Sequence, residues 1–235
     1  MAEGSGQTVP HMSGMDESGT NVGMYVKICG LQTVETVAAA VAAGADAVGF
    51  VFAPGSPRTI SAMQAAKLCR DVPRSIETVG VFRNQPIDEV VKTACEAGVS
   101  TVQLHGDETL VDMARLHGEG FRTLRAFSAA AYTALGAAEK RSWESERILL
   151  DAVEPGAGMV FDAHLLADGV PKGFWLLAGG LNPANVATLA ATLQPSGVDV
   201  SSGVEATRGV KDVFLIREFI RAARSVEPAT LPKNK

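Results

Sequence analysis

The sequence predicts a single α/β domain, a closed (β/α)8 barrel of the TIM type with its helices outside the sheet. From Met24 onward, short apolar runs alternate with Ala-rich helical runs, and this strand-helix unit occurs eight times. Each predicted strand is continuously apolar, as expected for parallel strands that are buried on both faces. An open doubly wound sheet is the alternative, but no Gly-x-Gly-x-x-Gly motif opens the first helix.

The predicted elements follow one another in a regular order. Strands are expected at residues 24–29, 47–52, 77–82, 101–104, 122–127, 148–151, 174–178 and 197–200. Helices are expected at residues 34–43, 62–69, 87–97, 110–117, 129–140, 161–166, 185–193 and 213–224. Gly44 and Gly98 follow two of these helices, where a left-handed residue ends a helix and leads into the next strand.

The barrel is expected to occupy residues 23–226. Residues 1–22 are rich in Gly, Ser and Thr and have no periodicity, so they are predicted to be a disordered extension or a remnant of cloning. Residues 227–235 are predicted to be a flexible tail.

The composition excludes several classes of function. The formal net charge of -5 argues against a nucleic-acid partner, since such proteins usually carry a basic surface. Three cysteines without CxxC or His-rich spacing predict reduced thiols in a cytoplasmic protein and no bound metal. No apolar run is long enough to span a membrane and no signal peptide opens the chain, so no membrane partner is expected.

Polar residues follow the predicted strands at their carboxyl ends, where the active sites of such barrels lie. Cys29 ends the first strand and Asp151 ends the sixth. A buried Cys that acts as a small apolar residue is the alternative for Cys29. The convergence of polar groups on one mouth instead favours a single site that contains both Cys29 and Asp151.

Two glycine-bearing loops end the seventh and eighth strands. They are Leu177-Ala-Gly-Gly-Leu-Asn-Pro183 and Asp199-Val-Ser-Ser-Gly-Val-Glu205, and the second is expected to open a short helical turn. Backbone N-H groups and a helix N-terminus favour an anion. A phosphate group is therefore predicted to bind at Gly179, Gly180, Ser201, Ser202 and Gly203, although ordinary glycine-rich turns would have the same composition.

Six motifs in order closely resemble the phosphoribosylanthranilate isomerase family of tryptophan biosynthesis. They cover almost all of residues 24–224: Lys27-Ile-Cys-Gly30, Gly49-Phe-Val-Phe52 with Ser56-Pro-Arg58, Val79-Gly-Val-Phe82, Gln103-Leu-His-Gly106, Leu177-Ala-Gly-Gly-Leu181 and Val198-Asp-Val-Ser-Ser-Gly-Val-Glu205.

The resemblance implies a cofactor-independent isomerase that carries out an Amadori rearrangement. N-(5-phosphoribosyl)anthranilate would become 1-(2-carboxyphenylamino)-1-deoxyribulose 5-phosphate, so the partner is a phosphosugar that carries an anthranilate group. Such chemistry needs an acid that protonates the furanose oxygen and a base that removes the C2 proton. The family's acid and base match Asp151 and Cys29.

The resemblance also implies supporting roles. Arg58 matches the basic residue thought to meet the anthranilate carboxylate, and Asp199 falls on the active-site pattern. His105 is expected to be structural, with its imidazole bonded to the loop 106–108. The period of two along a strand places Lys27 on the face of Cys29. Lys27 is therefore hypothesised to pair with Asp199 and to favour the Cys29 thiolate; a Lys at the outer edge of the strand is the alternative.

Two positions depart from the family pattern. Pro155 interrupts a usually glycine-rich loop and offers no N-H group, and Arg83 stands where an apolar residue is more usual. Two other functions remain open: a related barrel that also isomerises an aminoaldose of histidine biosynthesis, which pairs two aspartates, and a silent phosphosugar-binding barrel. The protein is expected to be a monomer or a homodimer.

Overall fold

A computed structural model describes residues 23–151 and 169–226 of the 235-residue chain. The barrel strands are β1 (Tyr25–Cys29), β2 (Ala47–Val51), β3 (Glu77–Phe82), β4 (Thr101–Leu104), β5 (Arg122–Ser128), β6 (Ile148–Asp151), β7 (Trp175–Ala178) and β8 (Gly197–Val200). All neighbouring strands are parallel, and β8 pairs with β1 to close the barrel in the order β1 to β8. The predicted (β/α)8 barrel is confirmed.

The helices lie between the strands in the chain. They are α1 (Val34–Ala42), α2 (Ala62–Cys69), α3 (Ile87–Ala97), α4 (Leu110–Gly118), α5 (Ala129–Ala134), α6 (Ala137–Ser142), α7 (Val186–Leu193) and α8 (Val213–Arg224). The helix predicted at residues 161–166 and the loop with Pro155 lie outside the described residues, as do residues 1–22 and 227–235. Within the described ranges, no helix has the length and hydrophobicity needed to cross a membrane.

One predicted helix is divided in two. Residues 129–140 were expected to form a single helix, but Leu135 adopts an extended backbone with ψ of 134° and ends α5. Gly136 is the N-cap of α6, and its N-H group donates to Oε2 of Glu139 at 3.0 Å. The capping interaction offers the backbone an alternative to a continuous helix, and hydrophobic periodicity does not reveal it.

A small hairpin that the sequence did not predict lies between β8 and α8. Its strands are β9 (Glu205–Thr207) and β10 (Val210–Lys211), which pair antiparallel. The expected helical turn is confirmed as a 3₁₀ turn at Ser202–Val204. Each strand of the hairpin has at most three residues, too few for an alternating pattern to show.

The barrel has one apolar layer outside the sheet and a mixed interior. Outward side chains of the strands pack against the helices; in α8 the buried residues Ile216, Phe219, Ile220 and Ala223 follow helical spacing. Helix α8 packs against α1 and α7, which helps to close the outer ring.

The amino end of the barrel is closed by a buried ionic cluster around Glu77. Arg147 donates to the two oxygens of Glu77 at 2.7 and 3.1 Å, and the hydroxyls of Tyr25 and Thr101 donate to it as well. Burial raises the pKa of Glu77, but the hydrogen bonds and charge of Arg147 outweigh burial and lower it to about 2. The cluster anchors three strands at the end opposite to the mouth.

Candidate active site

The carboxyl ends of the strands open into a cavity of about 560 Å³. Most of the predicted site residues line it: Cys29, Arg58, His105, Asp151, Gly179, Gly180, Asp199, Ser201 and Ser202. Cys29 and Asp151 come from β1 and β6, which are three strands apart around the barrel. The cavity therefore lies between a thiol on one wall and a carboxyl group on another.

Lys27 lies beneath Cys29 in the barrel interior. Its side chain is fully buried, and its Nζ lies 2.7 Å from Oδ1 of Asp199. Because β8 pairs with β1, Lys27 and Asp199 are direct neighbours across the two strands. The hypothesised ion pair is present, and the alternative of a Lys at the outer edge of the strand is wrong.

Gly49 on β2 makes room for this arrangement. A Cβ atom at this position would lie 3.0 Å from the sulfur of Cys29 and 3.3 Å from Nζ of Lys27. Gly49 pairs with Cys29 in the parallel register, so any side chain there would point at the thiol. The lack of a side chain at Gly49 thus leaves room for both the ammonium of Lys27 and the thiol of Cys29.

The ionisation of Cys29 depends on opposing effects. Burial raises the pKa of the thiol, the cation of Lys27 lowers it, the carboxylate of Asp199 raises it, and the cation of Lys211 lowers it. The net pKa is raised, so the protonated thiol is favoured over the thiolate. Lys27 acts in the hypothesised direction, but burial outweighs it because water is excluded from the sulfur.

His105 does not bond to the loop 106–108, as had been expected. Its Nδ1 lies 3.2 Å from Nε2 of Gln103, and its Nε2 lies 3.5 Å from Oδ2 of Asp151. The expectation is wrong because Glu108 accepts the hydrogen bond from the N-H group of Gly106, and the imidazole instead faces the cavity.

The loops after β7 and β8, for which an anion site is predicted, contribute Gly179, Gly180, Ser201 and Ser202 to the cavity lining. Gly179 and Gly180 have φ of +87° and +63°, which glycine adopts without strain. Gly203 packs against the backbone of Leu181, where a Cβ atom would lie 1.8 Å from the carbonyl oxygen. Gly203 thus holds the two loops together and does not line the cavity.

Arg58 is held by a partner that was not assigned to the site. Its Nε and Nη2 donate to the two oxygens of Glu205 at 2.5 and 2.9 Å. Its aliphatic stem packs on Gly30, where a Cβ atom would lie 2.7 Å from Cδ of Arg58. The guanidinium is thereby fixed beside the turn that follows Cys29.

Lys211 is a site residue that sequence reasoning missed. Its Nζ donates to the carbonyl oxygen of Ser201 at 2.7 Å, to Oγ of Ser201 at 3.1 Å and to Glu205 at 2.9 Å. The bonds from Arg58, Lys211 and the N-H group of Gly209 hold the pKa of Glu205 at about 2, despite burial. Lys211 belongs to the unpredicted hairpin, so no sequence pattern placed it at the mouth.

Two arginines add positive charge at the mouth of the cavity. Arg83 lines the cavity together with Arg208, so the unusual residue at position 83 adds a cation at the mouth. Within residues 23–151 and 169–226, no group of three His, Cys, Asp or Glu side chains could hold a metal ion.

Comparisons with known proteins agree with the geometry. Residues 26–222 match the family described as N-(5'phosphoribosyl)anthranilate (PRA) isomerase. The N-(5'-phosphoribosyl)anthranilate isomerase of Deinococcus radiodurans is 42% identical over 201 residues, which cover 85% of this chain and 96% of that protein. The crystal structure of TrpF from Jonesia denitrificans is similar with a TM-score of 0.76 at 43% identity, covering 86% of this chain and 98% of that one.

A second solved structure carries a ligand. It is a phosphoribosyl anthranilate isomerase in complex with reduced 1-(o-carboxyphenylamino)-1-deoxyribulose 5-phosphate. Its TM-score is 0.73 at 33% identity, and the match covers 86% of this chain and 100% of that one. The chain belongs to the N-(5'-phosphoribosyl)anthranilate isomerase family.

Proposed function

We propose that the protein catalyses the Amadori rearrangement of N-(5-phosphoribosyl)anthranilate to 1-(2-carboxyphenylamino)-1-deoxyribulose 5-phosphate. Family membership and the ligand of the related solved structure support this reaction. The observation that carries it in this chain is the placement of Cys29 and Asp151 on separate walls of one cavity. An acid and a base so placed can act on opposite sides of one sugar.

The first half of the reaction opens the furanose ring. Asp151, in its protonated form, gives its proton to the ring oxygen while the bond from that oxygen to C1 breaks. The nitrogen lone pair forms a double bond to C1, which leaves an iminium ion, a free hydroxyl on C4 and the Asp151 carboxylate. Each proton and electron pair has a destination in this step, and no cofactor takes part.

The second half moves a proton from C2. The Cys29 thiolate takes this proton, and the electrons of the C2-H bond form the double bond of an enolamine. Because the enolamine tautomerises to the ketone, the net result is an internal redox shift between C1 and C2. The cations of Lys27 and Lys211 stabilise the thiolate, which the buried site otherwise disfavours.

Binding is divided between two ends of the cavity. The phosphate binds to the loops of Gly179, Gly180, Ser201 and Ser202, with Gly203 as a packing residue between them, and the anthranilate carboxylate meets Arg58. Arg58 retains N-H donors, because only its Nε and one of its Nη2 donors are used by Glu205. Asp199 supports the site through Lys27.

Two further proposals concern the setting of the enzyme. A cytoplasmic location fits Cys29, Cys69 and Cys95, which all remain free thiols. A monomer or a homodimer is proposed, and light scattering of the purified protein distinguishes them; a related enzyme from Thermotoga maritima is described as dimeric.

Turnover by the purified protein tests the reaction. We expect conversion of phosphoribosylanthranilate without added metal or cofactor, measured by chromatographic separation of substrate and product. The histidine-pathway aminoaldose should be tested in parallel, since turnover of both would indicate a two-substrate enzyme. Tight binding of the phosphosugar without conversion would identify a silent binding barrel and contradict the proposal.

A further inference from the structure

Strand β4 contributes a buried amide to the wall of the cavity. Gln103 is 1% exposed and lines the cavity one layer below His105. The strand faces β8 across the barrel, because four strand positions separate them in the ring. Gln103 therefore lies opposite the ion pair of Lys27 and Asp199, at the depth of that pair in the barrel interior.

The amide nitrogen of Gln103 determines the tautomer of His105. Nε2 of Gln103 is an amide nitrogen, which can donate hydrogen bonds but cannot accept them. Nδ1 of His105, 3.2 Å away, therefore accepts the bond. The proton of a neutral imidazole must then reside on Nε2. That nitrogen is the one directed at Oδ2 of Asp151, 3.5 Å away.

The amide oxygen of Gln103 has no hydrogen-bond partner. It is the one buried side-chain nitrogen or oxygen atom in residues 23–151 and 169–226 for which none is found. An unsatisfied buried acceptor is unfavourable, and such an atom calls for a specific explanation. Here the residue lines the cavity in which the substrate's sugar must lie between Cys29 and Asp151.

We propose that Gln103 has two roles, in an inference that rests on the proposed isomerase function. Its oxygen accepts a hydrogen bond from a sugar hydroxyl beside the reacting carbons. Its nitrogen holds His105 as the Nε2-H tautomer, so that the imidazole positions Asp151 for proton transfer. Gln103 is a substrate-binding residue, and His105 is a positioning residue that acts through Asp151.

The two roles predict different kinetic effects. Gln103→Met removes both hydrogen bonds at similar volume, so KM should rise several-fold and kcat should fall. His105→Asn keeps the sugar contact, so kcat should fall while KM stays within about twofold. Gln64→Met is the matched control, because Gln64 is exposed on α2 and lies outside the cavity lining, so both constants should stay unchanged.

Ligand binding tests the sugar contact without catalysis. The reduced product analogue should bind Gln103→Met several-fold more weakly than the unmodified protein, whereas inorganic phosphate, which has no sugar hydroxyl, should bind both equally. Equal affinity for the analogue would overturn the sugar contact. Gln103→Asn withdraws the amide by one methylene and gives the same comparison if Gln103→Met does not fold.

Nitrogen NMR of the histidine rings tests the tautomer directly. We expect the ring nitrogen shifts of His105 to be those of the Nε2-H tautomer. The signals are assigned to His105 by their loss in His105→Asn. An Nδ1-H ring, or an unchanged kcat in His105→Asn, would overturn the positioning role. Lack of turnover by the unmodified protein would instead contradict the proposed function, and the NMR and binding results would still stand.

Discussion

Lys27 and Asp199 form a buried ion pair with 2.7 Å between Nζ and Oδ1, directly beneath the thiol of Cys29. The two charges act on Cys29 with opposite sign, since the ammonium lowers the pKa of the thiol and the carboxylate raises it. The pair therefore both fills the barrel interior and adjusts the pKa of the Cys29 thiol.

Opposite changes to this pair should shift the thiol in opposite directions. Lys27→Met should raise the pKa of Cys29, and Asp199→Asn should lower it. The rate of alkylation by iodoacetamide as a function of pH reports this pKa, in a Cys69→Ser, Cys95→Ser background that leaves one thiol. Shifts in the same direction in the two variants would show that altered packing, rather than charge, controls the thiol.

The same substitutions test the cost of an unpaired charge. Lys27→Met leaves Asp199 buried without its cation, which should lower the free energy of unfolding by roughly 3 to 5 kcal/mol. The double variant Lys27→Met, Asp199→Asn should recover part of that loss. Urea denaturation of the three variants measures the effect. If the loss in the double variant equals the sum of the losses in the two single variants, the two residues are not directly coupled.

The acid and the base should each be indispensable. Asp151→Asn and Cys29→Ala are expected to lower kcat by roughly 10²- to 10⁴-fold, as for other positioned proton-transfer groups. Cys95→Ala is a matched control for loss of a thiol, since Cys95 is exposed on α3, and it should leave kcat unchanged. A variant with near-normal kcat would remove its residue from the mechanism.

Arg58 should contribute to substrate binding more than to the chemical step. Arg58→Ala is expected to raise KM about tenfold or more, because a hydrogen bond to a charged group is worth roughly 1.5 to 3 kcal/mol. Folding should tolerate the change, since Glu205 keeps its bonds from Lys211 and Gly209. Steady-state kinetics measures the KM of Arg58→Ala, with Arg70→Ala as the control because Arg70 is exposed. An unaltered KM would assign a purely structural role to Arg58.

The loops after β7 and β8 should bind free phosphate. Inorganic phosphate is expected to compete with substrate, because the amides that it would occupy are those assigned to the substrate's phosphate. Initial rates at several phosphate concentrations, with sodium chloride at equal ionic strength as the control, measure the competition. Inhibition that substrate does not relieve would place the anion elsewhere.

Glu77 should make the protein sensitive to acid. Its pKa is about 2 in the folded state, which is below the ordinary range of a glutamate. Its contribution, about 3 kcal/mol for a shift of that size, is present above pH 4.5 and is lost as pH falls toward 2. Glu77→Gln should therefore be less stable at pH 7 and should lose less stability on acidification than the unmodified protein.

Urea denaturation at pH 7, 4 and 3 measures this dependence. Glu89→Gln is the control, because Glu89 is exposed in the first turn of α3 and lacks the buried partners of Glu77. Parallel pH curves for Glu77→Gln and the unmodified protein would show that the cluster at the amino end does not supply the acid-sensitive stability.

The barrel, and the positions of Cys29 and Asp151 at its mouth, follow from local sequence patterns. Apolar runs of strand length and amphipathic runs of helix length recur in order. These local patterns can be read because the barrel strands are buried on both faces and most helices on one face. Cys29 and Asp151 were predictable because each ends such a run. Lys27 and Asp199 were predictable because side chains alternate along a strand and a closed barrel makes β8 a neighbour of β1.

The contacts between loops depend on the tertiary structure and have no local sequence signal. Glu205 and Lys211 of the hairpin are brought together with Arg58, and no periodicity links this hairpin to a loop some 150 positions earlier. The orientation of His105 toward Asp151 also depends on a buried amide one layer below it. The raised pKa of Cys29 also depends on the tertiary structure, because it is a balance between burial and three surrounding charges that are in place only in the folded barrel.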